Sequence, residues 1–320
     1  MVFRNLLLHP FSTIRNKFYA ELFRSNYYKK MVRDNPQKAL SLQYKSAHHK
    51  NINWNNPQTL DEMWLEAMTD TSIWSQLTDK YEVRKFIEKK GYKEILVDCY
   101  GVWNNIGEIN FETLPNKFVI KCTHDSGSTH IIKDKSKANI VDICKDLQAK
   151  LHPIGYTTCE PHYLSIQPRI IAEELLEEKG LKDLSTSMID YKVWCFNGVP
   201  NVIFLCYDRH KDLNGHLTAS YDMYDAKTWA KRREYLDVAY RPDDNMCFPA
   251  PDNLEKMLEY AANISKDFPV ARVDFYNING KIYFGEITFT SAGANCYYFS
   301  ELGQKIMGDA IDLTHVKRIK

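Results

Sequence analysis

Arg272, Asp274, Glu286 and Thr288 are the residues best placed to do chemistry: a guanidinium, two carboxylates and a hydroxyl at alternating positions of two short segments. Carboxylate and hydroxyl oxygens are hard donors suited to Mg²⁺, and a guanidinium matches phosphate oxygens, so together they could hold one metal-bound phosphate. The segments, 270–276 and 281–289, are rich in β-branched and aromatic residues, and Asn279-Gly280 marks a turn between them. Register then decides whether the acids cooperate. A two-residue turn pairs Asp274 with Gly285 and sends Glu286 to the opposite face, because side chains alternate along a strand. A three-residue loop over 278–280, with Gly280 left-handed in a bulge, sets Asp274 opposite Phe284. Glu286 is then its diagonal neighbour on the same face, roughly 7 Å away between β-carbons. The plain alternative is an amphipathic hairpin with its charges in water.

Three further segments could face the same phosphate. Lys117 to Lys121 (Lys-Phe-Val-Ile-Lys) reads as a buried strand ending in a lysine, followed by the small-residue bend Ser126-Gly127-Ser128. Backbone N–H groups in such a bend can approach phosphate oxygens while the lysine supplies charge. It is not a Walker A loop, lacking Gly-Lys-Ser/Thr and a following helix. Asp79-Lys80 falls within a predicted helix leading into this region. Downstream, Ile170-Ile171-Ala172-Glu173-Glu174-Leu175-Leu176 is an apolar strand carrying two acids that need partners if buried, such as a nucleobase amine and ribose hydroxyls. On the next strand Asp190, Lys192 and Trp194 share one face.

The elements that must position these groups mix both periods. Helices are expected over 60–69, 73–90, 137–151, 254–266 and 302–313, with Thr59 and Glu62 forming a capping box; strands are expected at 95–100, 117–122, 128–133, 169–176, 188–196, 202–207 and 217–224 and in the hairpin. The class is α+β. A length of 320 residues with 44% hydrophobic content supports a large core. No run nears the roughly 18 apolar residues of a membrane span and no secretory signal is evident, which predicts a cytoplasmic location. Eight scattered cysteines without Cys-x-x-Cys read as reduced thiols. Residues 1–60 carry ten Lys or Arg against two acids, +8, leaving −7 for the remainder. This basic tail, with Phe3, Leu6, Leu7, Leu8, Phe11, Ile14, Phe18 and Tyr19 and an interrupting Pro10, is a candidate amphipathic contact, through residues 1–30, with the inner face of the cell membrane; packing on the protein's own body or a partner subunit is the alternative. Nucleic acid is not an expected partner, since the body lacks a broad basic footprint.

Taken in order, Asp79-Lys80-Tyr81-Glu82-Val83-Arg84, Phe118 to Gly127, Pro168 to Glu173, Asp190-Tyr191-Lys192 and Phe268 to Glu286 resemble the ATP-grasp superfamily, and within it the bacterial TupA-like amidoligases of teichuronopeptide synthesis, over about residues 57–295. The resemblance implies two α+β subdomains gripping ATP: a helical basic extension (1–56), a part leading into the core (57–115), a small subdomain with phosphate loop and adenine hinge (116–180) and a large subdomain with the Mg²⁺ site (181–320). It implies that Lys80 and Lys121 hold the α- and β-phosphates and that Ser126, Gly127 and Ser128 close over the β- and γ-phosphates. Glu173 and the backbone of Glu174 and Leu176 would meet adenine, with Asp190, beside Lys192, at the ribose. Asp274, Glu286 and Thr288 would ligate Mg²⁺, and Arg272 would neutralise the γ-phosphoryl in flight.

Thr288 departs from the pattern, which usually has Asn there, and Ser-Gly-Ser replaces a loop with a second glycine. The implied activity is an ATP- and Mg²⁺-dependent ligase joining a carboxylate, such as a uronic acid of a surface polysaccharide or capsule, to an amine such as an amino acid through an acyl phosphate. Position after the metal ligands makes the backbone at 291–293, Gly293 included, a candidate donor to the tetrahedral intermediate. Arg209 and His210, read as part of a polar turn, are candidates for an acidic substrate. The alternatives are a kinase on the same fold or a glycosyltransferase of the same pathway; the latter wants Asp-x-Asp, where the chain offers only Asp222-Met223-Tyr224-Asp225.

Overall fold

The computed structural model describes residues 10–67, 72–177, 184–212, 217–242 and 245–314, which build helices around two antiparallel sheets. The described residues open with three helices: α1 (Pro10–Arg24), α2 (Asn26–Asp34) and α3 (Pro36–His48). Ser25 and Asn35 cap α2 and α3 by accepting from Tyr28 N and Lys38 N, satisfying N–H groups that the first turn leaves unpaired. Tyr28, Leu40 and Tyr44 are buried in the main core, so α2 and α3 spend their apolar faces on the protein's own body. Phe18 of α1 remains exposed. Residues 1–9, which carry Phe3 and Leu6 to Leu8 of the expected amphipathic tail, lie outside the described residues. No helix among the described residues is long and apolar enough to cross a membrane. All eight cysteines are free thiols, as expected.

Helix α4 (Leu60–Ala67) opens with the expected capping box: Glu62 N donates to Thr59 Oγ1 and Thr59 N to Glu62 Oε2, each at 3.3 Å. The helix expected over 73–90 is instead two, α5 (Ser72–Thr78) and α6 (Glu82–Lys89). Asp79 causes the break. Its Oδ1 accepts from Tyr81 N and Glu82 N at 2.8 and 2.9 Å, starting a new helix and freeing the Lys80 backbone to bond Thr123 O at 3.0 Å.

The smaller sheet has the order β1-β4-β2-β3, from β1 (Cys99–Trp103), β2 (Phe118–Cys122), β3 (His130–Ile132) and β4 (Ile170–Glu173). Its first strand starts four residues later than expected, since Lys93–Ile95 form a 3₁₀ turn, and it lies upstream of residue 116. Along β2, Phe118, Ile120 and Cys122 point into a small core with Leu147 of α7 (Ile140–Lys150); the alternation turns Lys121 to the other face. A short helix, α8 (Pro161–Leu164), leads into β4.

The larger sheet has the order β7-β6-β5-β8-β9, from β5 (Asp190–Phe196), β6 (Val199–Lys211), β7 (Leu217–Asp225), β8 (Val270–Ile278) and β9 (Lys281–Thr288). Helix α9 (Leu254–Ser265) and the last helix, α10 (Glu301–Asp309), flank it. Trp64 of α4 meets Trp194 of β5 edge to face at 5.0 Å, tying the leading helices to the sheet.

Neither register expected for the β8–β9 hairpin occurs. The turn has two residues, Asn279 and Gly280, both left-handed, which pairs Phe275 with Phe284 and would leave Glu286 facing away. A bulge at Gly285 then inserts one residue, so Asp274 pairs directly with Glu286 and Arg272 with Thr288. A Cβ at Gly285 would sit 3.1 Å from the Asp274 carbonyl oxygen. Gly285→Ala is therefore expected to cost about 1 kcal/mol in urea unfolding, at the low end for overpacking. Because it pushes on the strand carrying Asp274, the same variant should lower turnover by a larger factor than its stability loss suggests.

Candidate active site

The bulge brings three side chains around one cationic nitrogen. Arg272 Nη2 lies 2.7 Å from Asp274 Oδ2, 3.0 Å from Thr288 Oγ1 and 3.1 Å from Glu286 Oε1, while Nη1 donates to Ser291 Oγ at 2.6 Å and Nε to Asp274 Oδ1 at 2.7 Å. Ser291 Oγ and Tyr298 Oη share a bond of 2.8 Å. From the neighbouring strand Lys192, register partner of Asp274, donates to Asp190 Oδ2 at 2.7 Å and to Asp274; Arg209 closes the row on Asp190. Cations and carboxylates thus alternate across the sheet, each buried charge held by an opposite one as the low-dielectric interior requires. Burial would strip the charge from Arg272 and Lys192, but Asp274 beside the first and Asp190 and Asp274 beside the second outweigh it and raise both pKa values.

The facing wall comes from the smaller sheet and the α5–α6 break. Buried Asp79, besides capping α6, accepts from Thr123 Oγ1 at 3.0 Å and Arg169 Nη2 at 3.1 Å. That sets Lys80 within electrostatic reach of Glu286 and Lys121. Burial lowers the Lys80 pKa, Glu286 opposes the shift and Lys121 adds to it. Lys80 Nζ also donates to the Asp125 carbonyl. Lys121 pairs with Glu173 at 2.6 Å, and Arg84 reaches the other oxygen of Glu173 at 3.2 Å. The expected ligand partners of this buried acid are thus already replaced by two protein cations. The Glu174 N–H is likewise spent on Asp98 O at 2.9 Å.

Between the walls lies a cleft of about 650 Å³ lined by Lys80, Ser126, Arg272, Glu286, Thr288 and Gly293, among others. Asp190, Lys192 and Asp274 are buried behind its surface. Several expected roles change. Buried Ser128 pins the bend, accepting from Cys122 N at 2.7 Å and donating to Asp125, so its hydroxyl is not free for phosphate; Gly127 instead offers its carbonyl to Lys150 at 2.8 Å. Gly293 N–H bonds Thr290 O at 3.1 Å and Ala294 N–H bonds Ser291 O at 2.9 Å, closing a left-handed turn over 292–294 and using up the donor expected at Gly293. Strand β6 continues through the supposed polar turn: Arg209 is an internal ion-pair partner of Asp190, and His210, outside the cleft lining, bridges to Thr218 Oγ1 at 3.1 Å. Asp222 is wholly buried and held by Lys231 at 3.0 Å, and neither it nor Asp225 lines the cleft.

Sequence reasoning gave no role to Arg84 or Arg169, and to Ser291 only a backbone one. All three act through partners distant in sequence, and the only local cue was Arg84 and Arg169 lying inside segments already singled out. Gly285 did carry a signal, since a lone glycine within a strand pattern marks a bulge.

No group of three His, Cys, Asp or Glu side chains among the described residues forms a metal site. The oxygens of Asp274, Glu286 and Thr288 nevertheless converge on the positive Arg272 Nη2 within 3.1 Å, and a set of hard oxygens gathered around positive charge fits Mg²⁺ by donor chemistry. Glu286 is the accessible carboxylate of the set. Burial pushes its pKa up, but Lys80, Lys192 and Arg272 outweigh that and hold it at about 2, against an ordinary 4.5. A depressed carboxylate adds stability above its unfolded pKa and loses it as pH falls through the folded one. Between about pH 4.5 and 2 the wild-type melting temperature should therefore fall more steeply than that of Glu286→Gln.

The profile of the TupA-like ATPgrasp family matches residues 58–312. No curated protein matches. Among solved structures, L-amino acid ligase from Bacillus licheniformis is similar at 9% identity, covering 83% of this chain and 58% of its own, with TM-score 0.46. D-alanine--D-alanine ligase from Bacillus anthracis is similar at 13% identity over 72% of this chain and 62% of its own, TM-score 0.43. VanG D-Ala:D-Ser ligase from Enterococcus faecalis is similar at 14% identity over 75% and 62%, TM-score 0.41. The chain spans less than two thirds of each of these ligases. With a family profile covering most of its length, from the α4 capping box to just beyond α10, this chain belongs to the TupA-like ATP-grasp family.

Proposed function

We propose that the chain is an ATP- and Mg²⁺-dependent carbon–nitrogen ligase that activates a carboxylate as an acyl phosphate and passes it to an amine. The observation that carries this reading is the placement of Lys80 within electrostatic reach of both Lys121 and Glu286, beside Arg272, at a cleft lined from both halves of the chain. Lys80 and Arg272 present their positive charge at the cleft surface, where a cation matches phosphate oxygens.

In this reading Lys80 and Lys121 neutralise the α- and β-phosphates, and the bend at Ser126 covers the chain of phosphates. Glu173 and Arg84 keep the Lys121 ammonium in place, and the segment after β4, 174–176, borders the base. Asp274, Glu286 and Thr288 would hold Mg²⁺, which when bound supplies charge neutralisation at the phosphate oxygens. The substrate carboxylate attacks the γ-phosphorus, ADP departs, and Arg272 bears the charge spread over the transferring group. The amine then attacks the acyl carbon and phosphate leaves. A uronic acid of a cell-surface polysaccharide is the proposed carboxylate, and the interior of the cell, with residues 1–30 against the membrane, the proposed location.

ADP release measured over a matrix of uronic acids and amino acids, with hydroxylamine as trap, tests the reading. The expected result is ADP together with an acyl hydroxamate. ADP with a stable phosphorylated product and no hydroxamate would make the chain a kinase.

A further inference from the structure

Beyond the phosphate-facing residues, the cleft continues into a chamber bordered by Lys29 of α2, Tyr156, Thr158, Glu160, Tyr163 and Thr290. Its wall is firmly held. The segment 152–160 is clamped on the leading helices by Gln43, whose side chain donates to Thr157 O. Cys159, fully buried, takes a left-handed φ of 53°, a conformation that persists only where surroundings enforce it. Glu160 N bonds Gly155 O at 2.9 Å, and Pro161 then begins α8, so the Glu160 side chain is set by a rigid turn.

Charge pairing singles out two residues. Arg272 is matched by Asp274 and Glu286, Glu286 also by Lys80, and Asp125 faces Lys80. Glu160 meets only neutral hydroxyls, those of Thr290 and Thr158, and has no Lys or Arg partner among the described residues. Lys29, half-buried at the same chamber, pairs with no carboxylate among them either. A partly buried ion without a counter-ion is costly unless a ligand supplies one. Burial accordingly pushes the Glu160 carboxyl above its ordinary range, the hydroxyls only partly opposing it.

We infer that this chamber is the acceptor subsite and takes a zwitterionic amino acid, its ammonium on Glu160 and its carboxylate on Lys29. The subsite rests on the ligase reading for its role, but its charge complementarity stands without it. An acceptor bound there lies beside Arg272 and Glu286, where an acyl phosphate would form, and the nitrogen held by Glu160 is the one that must become the nucleophile. Glu160 can also receive a proton: as the ammonium becomes an amide it sheds two, one to the carboxylate and one to the departing phosphate.

Glycine, the smallest zwitterion and so free of side-chain selection, is the probe, titrated by calorimetry or saturation-transfer NMR into the full chain. Glycinamide, lacking the carboxylate, and N-acetylglycine, lacking the ammonium, report each end. Glycine should bind wild type. Glu160→Gln should weaken glycine and glycinamide by about ten-fold or more, the loss of a charge-assisted hydrogen bond, and spare N-acetylglycine. Lys29→Met should weaken glycine and N-acetylglycine and spare glycinamide. Melting curves show whether each variant is folded, and Glu160→Asp, which keeps the charge, should recover part of the lost affinity. Failure of wild type to bind glycine, or equal glycine affinity in folded Glu160→Gln, overturns the subsite. ATP is titrated separately into wild type: if glycine behaves as stated while ATP does not bind, the ligase reading falls and the subsite stands.

Discussion

Replacing Arg272 with alanine should abolish measurable ADP formation and also cost about 3–5 kcal/mol in urea unfolding, the range for breaking a buried ion pair. The stability loss follows from its bonds to Asp274, Glu286, Thr288 and Ser291, because alanine leaves the buried Asp274 with only Lys192 and the Ser291–Tyr298 pair without its anchor. The catalytic loss follows from removing the guanidinium best placed to face the transferring phosphoryl, an arrangement worth about 10³–10⁵ in rate where arginine plays that part. Arg272→Lys separates the two. A lysine keeps one positive charge among the three oxygens but cannot donate in a fork to Asp274 while reaching Ser291, so it should recover much of the stability and little of the turnover. Full ADP release in Arg272→Lys would remove arginine from the chemistry.

Lys80→Ala is the second large effect. Its ammonium comes from the smaller-sheet side, lines the cleft and bears on Glu286, so its loss should cut ADP formation by about 10²–10³, as for deletion of one preorganised electrostatic donor. Stability should change little, because Asp79, Arg169 and Thr123 hold the turn through backbone and side-chain bonds that do not involve the Lys80 ammonium. Lys121→Ala should behave similarly, with Arg84 left to hold Glu173. Steady-state ADP release and thermal melting on both variants check this. A melting temperature that collapses together with activity would show that these lysines serve the fold rather than phosphate.

The α+β class, most strands and the helices at α4, α7, α9 and α10 were legible from period and capping, because those signals are local. So was the idea of Asp274 and Glu286 sharing one face, but as diagonal neighbours rather than the direct pair that forms. Turn chemistry at Asn279-Gly280 favoured two residues and the functional logic favoured three, and the conflict dissolves only with the bulge at Gly285, which no turn rule contains. The split between α5 and α6 was hidden because apolar spacing continues across it while one aspartate, Asp79, recaps the backbone. Partners of buried charge were the least legible. Glu173 looked available to a ligand, yet Lys121 and Arg84 reach it from two other elements, and Ser128 is consumed by its own loop. Such pairings depend on three-dimensional proximity between residues far apart in sequence, 89 positions for Arg84 and Glu173 and 90 for Asp79 and Arg169, and leave no spacing to read.

Calorimetric titration of ATP with Mg²⁺ into wild type, Lys80→Ala, Arg272→Lys and the double variant tests most directly whether the two walls grip one triphosphate. Saturable binding by wild type, weakened in each single variant and non-additively in the double because both groups serve a single ligand, is the predicted result. No binding by wild type, or unaltered affinity in Lys80→Ala, would contradict it.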